Sequence, residues 1–112
     1  MSRNRVFQNA KYDWCLFLAQ LVLEKTLKAC YVKCKNEFPP RTHDLVRLAD
    51  MTGIQVEEES LEFLDLVNTF SISTRYPDEK FKFYTLCTKD FAAMQFTRIK
   101  EVREWLLSRI NA

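Results

Sequence analysis

Trp14-Cys15-Leu16-Phe17-Leu18-Ala19-Gln20-Leu21-Val22-Leu23 decides the fold, because in ten residues only Gln20 is polar. A helix that is apolar on nearly every side must be covered on nearly every side. That pattern describes the central helix of a bundle, or one whose second face meets a partner subunit. The helix is predicted over Lys11 to Lys35. Its polar residues are ordered, since Gln20, Glu24 and Lys28 recur every four positions and form one stripe along the helix. On such a helix the stripe is expected to face solvent, with a Glu24–Lys28 pair worth a few tenths of a kcal/mol.

Working outward, Pro39-Pro40 ends this helix or its trailing turn, because proline cannot continue it and restrains the residue before it. Thr42 is expected to cap a short helix with His43 and Asp44 in its first turn; Leu45, Leu48 and Ala49 form its apolar face and Gly53 closes it. A third helix is predicted from Glu57 to Ser71. Glu57, Glu58 and Glu59 suit the positive end of its dipole, and Leu61, Phe63, Leu64, Val67 and Phe70 make its buried face. The segment Ser73-Thr74-Arg75-Tyr76-Pro77-Asp78 is the least helix-like, since Pro77 forces Tyr76 out of helical geometry. A final helix is predicted from Thr88 to Ile110, with Phe91, Met94, Ile99, Val102, Trp105, Leu106 and Ile110 at helical spacing.

Composition agrees. One Gly and three Pro in 112 residues leave almost no turn chemistry for a sheet protein. The expected fold is therefore all-α: one domain over residues 1–112, an up-and-down bundle of four to five helices. Seventeen Lys and Arg against fifteen Asp and Glu give a net charge of +2. That balance argues against a broad nucleic-acid-binding face and leaves room only for a local basic patch. Arg3 and Arg5 before the apolar run, with Leu27-Lys28-Ala29-Cys30 resembling a lipoprotein cleavage site, raise the question of a signal peptide. Gln20, Glu24, Lys25 and Lys28 interrupt the stretch, and the apolar run is far short of the ~20 residues that span a bilayer. No membrane partner and a cytoplasmic location are expected. Cys15, Cys30, Cys34 and Cys87 are read as buried or half-buried free thiols, which suit a reducing compartment. Cys30 and Cys34 are one turn apart, but no second pair and no suitably spaced histidine completes a metal site, so no cofactor is expected.

The polar motifs converge. Glu24-Lys25-Thr26-Leu27-Lys28-Ala29, then Pro40-Arg41-Thr42-His43-Asp44-Leu45, then Arg75-Tyr76-Pro77-Asp78 stand in an order and spacing that resembles the HEPN domain family (higher eukaryotes and prokaryotes nucleotide-binding). The resemblance extends from about Lys11 to Ile110 and implies a helical bundle of up to five helices, commonly a homodimer. It also implies frequent pairing with a minimal nucleotidyltransferase in toxin–antitoxin systems, and either nucleotide or RNA binding or metal-independent RNA cleavage. Members usually begin with a full helix before the position of Tyr12, where here only Ser2 to Ala10 stand, so a shortened first helix is expected. Nuclease members carry an Arg followed by four to six residues and a His. His43 is the only histidine, and the positions that would have to hold that arginine are Asn36, Glu37 and Phe38. Without that pair, one group to handle the 2′-hydroxyl proton and another to steady the phosphate charge are missing as a motif.

The expected function is thus a non-catalytic module that binds a nucleotide, RNA or a nucleotidyltransferase partner. An RNase toxin with a site around His43, Arg75 and Asp78 is the alternative. Arg75 is the foremost phosphate candidate, since a guanidinium can clamp phosphate with two parallel bonds; its structural alternative is a salt bridge to Asp78, Glu24 or Asp44. Lys28 either meets phosphate or pairs with Glu24. Tyr76 can stack on a base or serve as a packing lid. His43 belongs to the same set of nucleotide- or phosphate-binding candidates and is read as a capping or loop-fixing residue rather than a base. Glu24, Lys28, Arg75 and Asp78 are expected to lie together on one side of the bundle.

Overall fold

No proline or glycine interrupts the chain before Pro39, and in the computed structural model helix α1 runs unbroken over Ser2–Lys35. The structure describes the backbone of residues 2–71 and 88–110, with side chains from Tyr12 onward except those of Asp13 and Ser71. At about 1.5 Å per residue the 34 residues of α1 account for the whole 51 Å long axis of the molecule. The sequence reading differs here. Residues 2–10, expected as a separate shortened helix, are the opening turns of the central helix itself.

The remaining described elements are α2 (Leu45–Thr52), α3 (Glu58–Asn68) with a 3-10 turn at Thr69–Ser71, and α4 (Lys89–Ile110). The described residues thus form an all-helical bundle, and the expected all-α class holds. Helix α1 packs against α4, α2 and the 3-10 turn. Leu16, Leu23, Leu27 and Cys30 of α1 are fully buried and meet Leu48 of α2, Val67 of α3 and Leu106 of α4 in one core. Truncating a leucine of this kind to alanine costs about 2–5 kcal/mol. No described helix is long and apolar enough to cross a membrane.

Three details depart from the periodicity. Helix α1 is not covered all round, because Trp14, Leu18 and Val22, four residues apart, stand exposed on its outer face. On α4 the buried row is Ala92, Gln95, Ile99, Val102 and Leu106, so Met94 points outward where the pattern puts it in the core. The shift is one step round the helix, toward the small Ala92, which allows a close approach to the core. Of the cysteines, Cys30 is buried, its thiol held above its ordinary value by burial and then by its neighbour Cys34. Cys15 and Cys34 are exposed, against expectation, and Cys87 lies outside the described residues.

Helix ends are set by local chemistry. Asn36 takes the left-handed conformation (φ 54°) and returns its N–H to Val32 O at 2.8 Å, ending α1 ahead of the prolines. Gly53 ends α2 in the same way (φ 78°), as its identity predicts. The start of α2 is different from the reading. Asp44, not Thr42, is the cap: its Oδ1 accepts from Val46 N at 3.0 Å and from Arg47 N at 3.4 Å. Thr42 supports it from outside, its Oγ1 accepting from Asp44 N at 3.2 Å. Asn68, at the end of α3, donates from Nδ2 to Asp44 Oδ1 and accepts from Leu45 N, each at 3.0 Å. One aspartate therefore caps α2 and ties it to α3. Asp44→Ala should cost about 0.5–2 kcal/mol, the range for a lost cap, and Thr42→Ala markedly less; urea unfolding of both variants measures the ranking.

Candidate functional site

The stripe Gln20-Glu24-Lys28 faces inward. The expectation of a solvent-facing stripe fails, because Gln20 and Glu24 are buried and His43, from the loop before α2, reaches across to Glu24. Gln20 and Glu24 are each only 3% exposed, and Lys28 is half-buried. A carboxylate taken out of water needs counter-charges and hydrogen-bond donors. Glu24 has both. Lys28 Nζ donates to its Oε2 at 3.2 Å from one turn along the same helix. His43 Nδ1 lies 3.0 Å from both Oε1 and Oε2, reaching across from the loop before α2.

His43 reaches Glu24 because its neighbour is fixed. It precedes Asp44 directly, and the Asp44 cap, with Thr42 behind it and Asn68 beside it, pins the backbone at that point. The ring is then held by the carboxylate. With Nδ1 donating, whether as the neutral Nδ1–H tautomer or as imidazolium, Nε2 is the nitrogen left for solvent or ligand. His43 is 61% exposed at its side chain, so this nitrogen is reachable. The loop-fixing role read for His43 is present, but its anchor is Glu24, and it stands before the helix rather than in its first turn.

Burial by itself pushes the Glu24 carboxyl upward. The hydrogen bonds from His43 and Lys28, and then their charges, outweigh it and hold the group below its ordinary value. A depressed carboxyl binds protons less readily folded than unfolded. Its stabilising contribution is therefore present above the ordinary glutamate range and lost as pH falls through the lower folded value. One turn before Glu24, the buried Gln20 Oε1 has no hydrogen-bond partner among the described residues.

Of the six residues proposed from the motifs, the structure brings together Glu24, Lys28 and His43. Arg75, Tyr76 and Asp78 lie outside the described residues, and so does the expected proximity of Arg75 to Glu24 and Lys28. Asn68 and Asp44 belong to the site as supports that the sequence reading missed. Asp44 was legible as a helix-start residue; nothing in the spacing connects Asn68 to it across 24 positions. Among the described residues no group of three or more His, Cys, Asp or Glu side chains could hold a metal ion. The basic residues of α4 are partly engaged. Arg98 stacks over Phe63 at 5.6 Å and lies 3.8 Å from Glu59 and from Glu101, while Arg109 stacks over Trp105 at 4.8 Å.

The family model described as HEPN domain matches residues 2–110, nearly the whole chain. No curated protein and no solved structure matches the chain significantly.

The Glu24 carboxylate gives a direct expectation for acid sensitivity. Glu24→Gln should flatten the fall in stability between neutral pH and the region below the ordinary glutamate range. Denaturant unfolding of both proteins across that interval checks it; equal pH slopes contradict it.

Proposed function

Because the chain belongs to the HEPN domain family, we propose that it is a non-catalytic nucleotide- or RNA-binding module that works as a homodimer beside a nucleotidyltransferase partner of the toxin–antitoxin type. The observation that carries the reading is the buried Glu24 carboxylate holding Lys28 and His43 at one place. Lys28 spends one of its three donors on Glu24, which leaves others for a phosphate oxygen. Arg75, from the Arg-Tyr-Pro-Asp motif, is proposed as the clamp that completes phosphate recognition, with Asp78 orienting it and Tyr76 stacking on the base. A net charge of +2 supplies no broad basic surface, so few phosphates are neutralised and the dependence on salt is shallow. A cytoplasmic location is part of the same proposal.

One observation favours the alternative. A histidine whose Nδ1 is held by a carboxylate, with Nε2 toward solvent, is the arrangement that orients a general base. For RNA, His43 Nε2 would take the 2′-hydroxyl proton and Arg75 would steady the phosphate. Against it, no arginine stands at positions 36, 37 or 38, where four to six residues would separate it from His43 as the nuclease pattern requires.

Titration of labelled ATP and of a short RNA at low salt distinguishes the two. Binding is expected to be weak, to disappear in Arg75→Ala, to fall in Lys28→Ala and to persist largely in His43→Ala. RNA cleavage that His43→Ala abolishes overturns the binding-module reading in favour of the nuclease.

A further inference from the structure

On α1 the positions 14, 18, 22, 25, 29 and 32 fall on one side of the helix, opposite the core row of Leu16, Leu23 and Leu27. All six are exposed, and five are apolar; Lys25 is the sole charge. Trp14 is 60% exposed and is steadied by an edge-on contact with Phe17 at 5.8 Å. At the other end of the row, Val32, Asn36, Glu37, Phe38 and Pro39 line a hollow of about 270 Å³. Phe38 stands there 96% exposed, on a segment fastened by the Tyr31 hydroxyl donating to the Glu37 carboxylate at 3.0 Å.

We infer that this face is the surface on which two copies of the chain pair, with their α1 helices antiparallel and Trp14 of each copy seated in the Val32–Phe38 hollow of the other. This rests on the proposed self-association and names its surface. The geometry is self-complementary. Trp14 and Val32 are 18 positions apart on one face, about 27 Å along the helix, and a two-fold axis near Leu23 exchanges them. An isologous pair requires such an exchange, in which each patch meets its own copy. The area suffices. With large aromatic side chains at about 150–250 Å² each, Trp14, Leu18, Val22, Val32 and Phe38 together expose on the order of 500 Å² per copy. Pairing removes twice that, which reaches the roughly 1,000–1,200 Å² at which specific interfaces begin. Charge favours a like partner too, since one lysine offers no pattern for an acidic or nucleic-acid surface. The stem of Lys25 can lie along the apolar row of the second copy while its ammonium stays in water.

Sedimentation of the full chain at tens of micromolar tests this with Trp14→Ala, Phe38→Ala and, as a control on the exposed apolar side of α4, Met94→Ala. The expected result is a wild-type dimer whose dissociation constant rises at least tenfold in Trp14→Ala and in Phe38→Ala and stays unchanged in Met94→Ala, with helical circular dichroism the same in all four. A wild-type monomer overturns both the dimer and this surface. A dimer indifferent to Trp14→Ala, or weakened only by Met94→Ala, leaves self-association standing and overturns this surface. A dimer weakened by Trp14→Ala but not by Phe38→Ala overturns the antiparallel seating.

Discussion

A carboxylate buried in a helical bundle has to be paired, and the pairing of Glu24 organises this one. Lys28 comes from the next turn of α1 and would be near Glu24 in any helix of this sequence. His43 comes from 19 residues away, and its contact fixes where the chain returns after Pro39-Pro40. That return sets the start of α2, where Asp44 caps the helix and meets Asn68 of α3. A single buried charge thus connects, through a short relay of hydrogen bonds, three of the described helices. Breaking one partner of a buried pair costs about 3–5 kcal/mol when the other charge is left stranded. Exposure of His43 to water lowers that figure here, since solvent can replace part of what the ring supplies.

Much of the fold is legible in the residues. The apolar run after Trp14, the near absence of glycine and Gly53 at the end of α2 each point to a helical bundle by a stated mechanism, and each is found. What escaped is what depends on neighbours in space. Periodicity finds the stripe Gln20-Glu24-Lys28 but gives no sign of which way it faces; tertiary packing, with His43 brought onto Glu24, decides that. Thr42 and Asp44 are both good cap residues, and the choice between them follows from Asn68, whose side chain completes only the Asp44 arrangement. On α4, Met94 and Gln95 are adjacent, so a small rotation exchanges the apolar residue for the polar one in the buried row.

The candidate site was legible in its members and not in its geometry. Glu24, Lys28 and His43 stand in separate motifs, and chemistry alone allows Lys28 either role assigned to it. The structure gives Lys28 to Glu24 and makes the carboxylate, which carries no ligand chemistry by itself, the holder of two groups that do. In that arrangement Glu24 is a positioning residue. It sets the tautomer and direction of His43 and keeps one end of Lys28 in place, on the inner side of a helix whose outer side remains apolar and exposed.

The central claim is that the folded chain holds Glu24 ionised by the joint action of Lys28 and His43. Carbon-13 NMR of the Glu24 side-chain carboxyl, followed as a function of pH in the folded protein, measures it most directly. The predicted midpoint lies below the ordinary glutamate range and moves upward in His43→Ala, because burial then acts against fewer donors. A midpoint at or above the ordinary value in the wild-type protein, or one indifferent to His43→Ala, would contradict it.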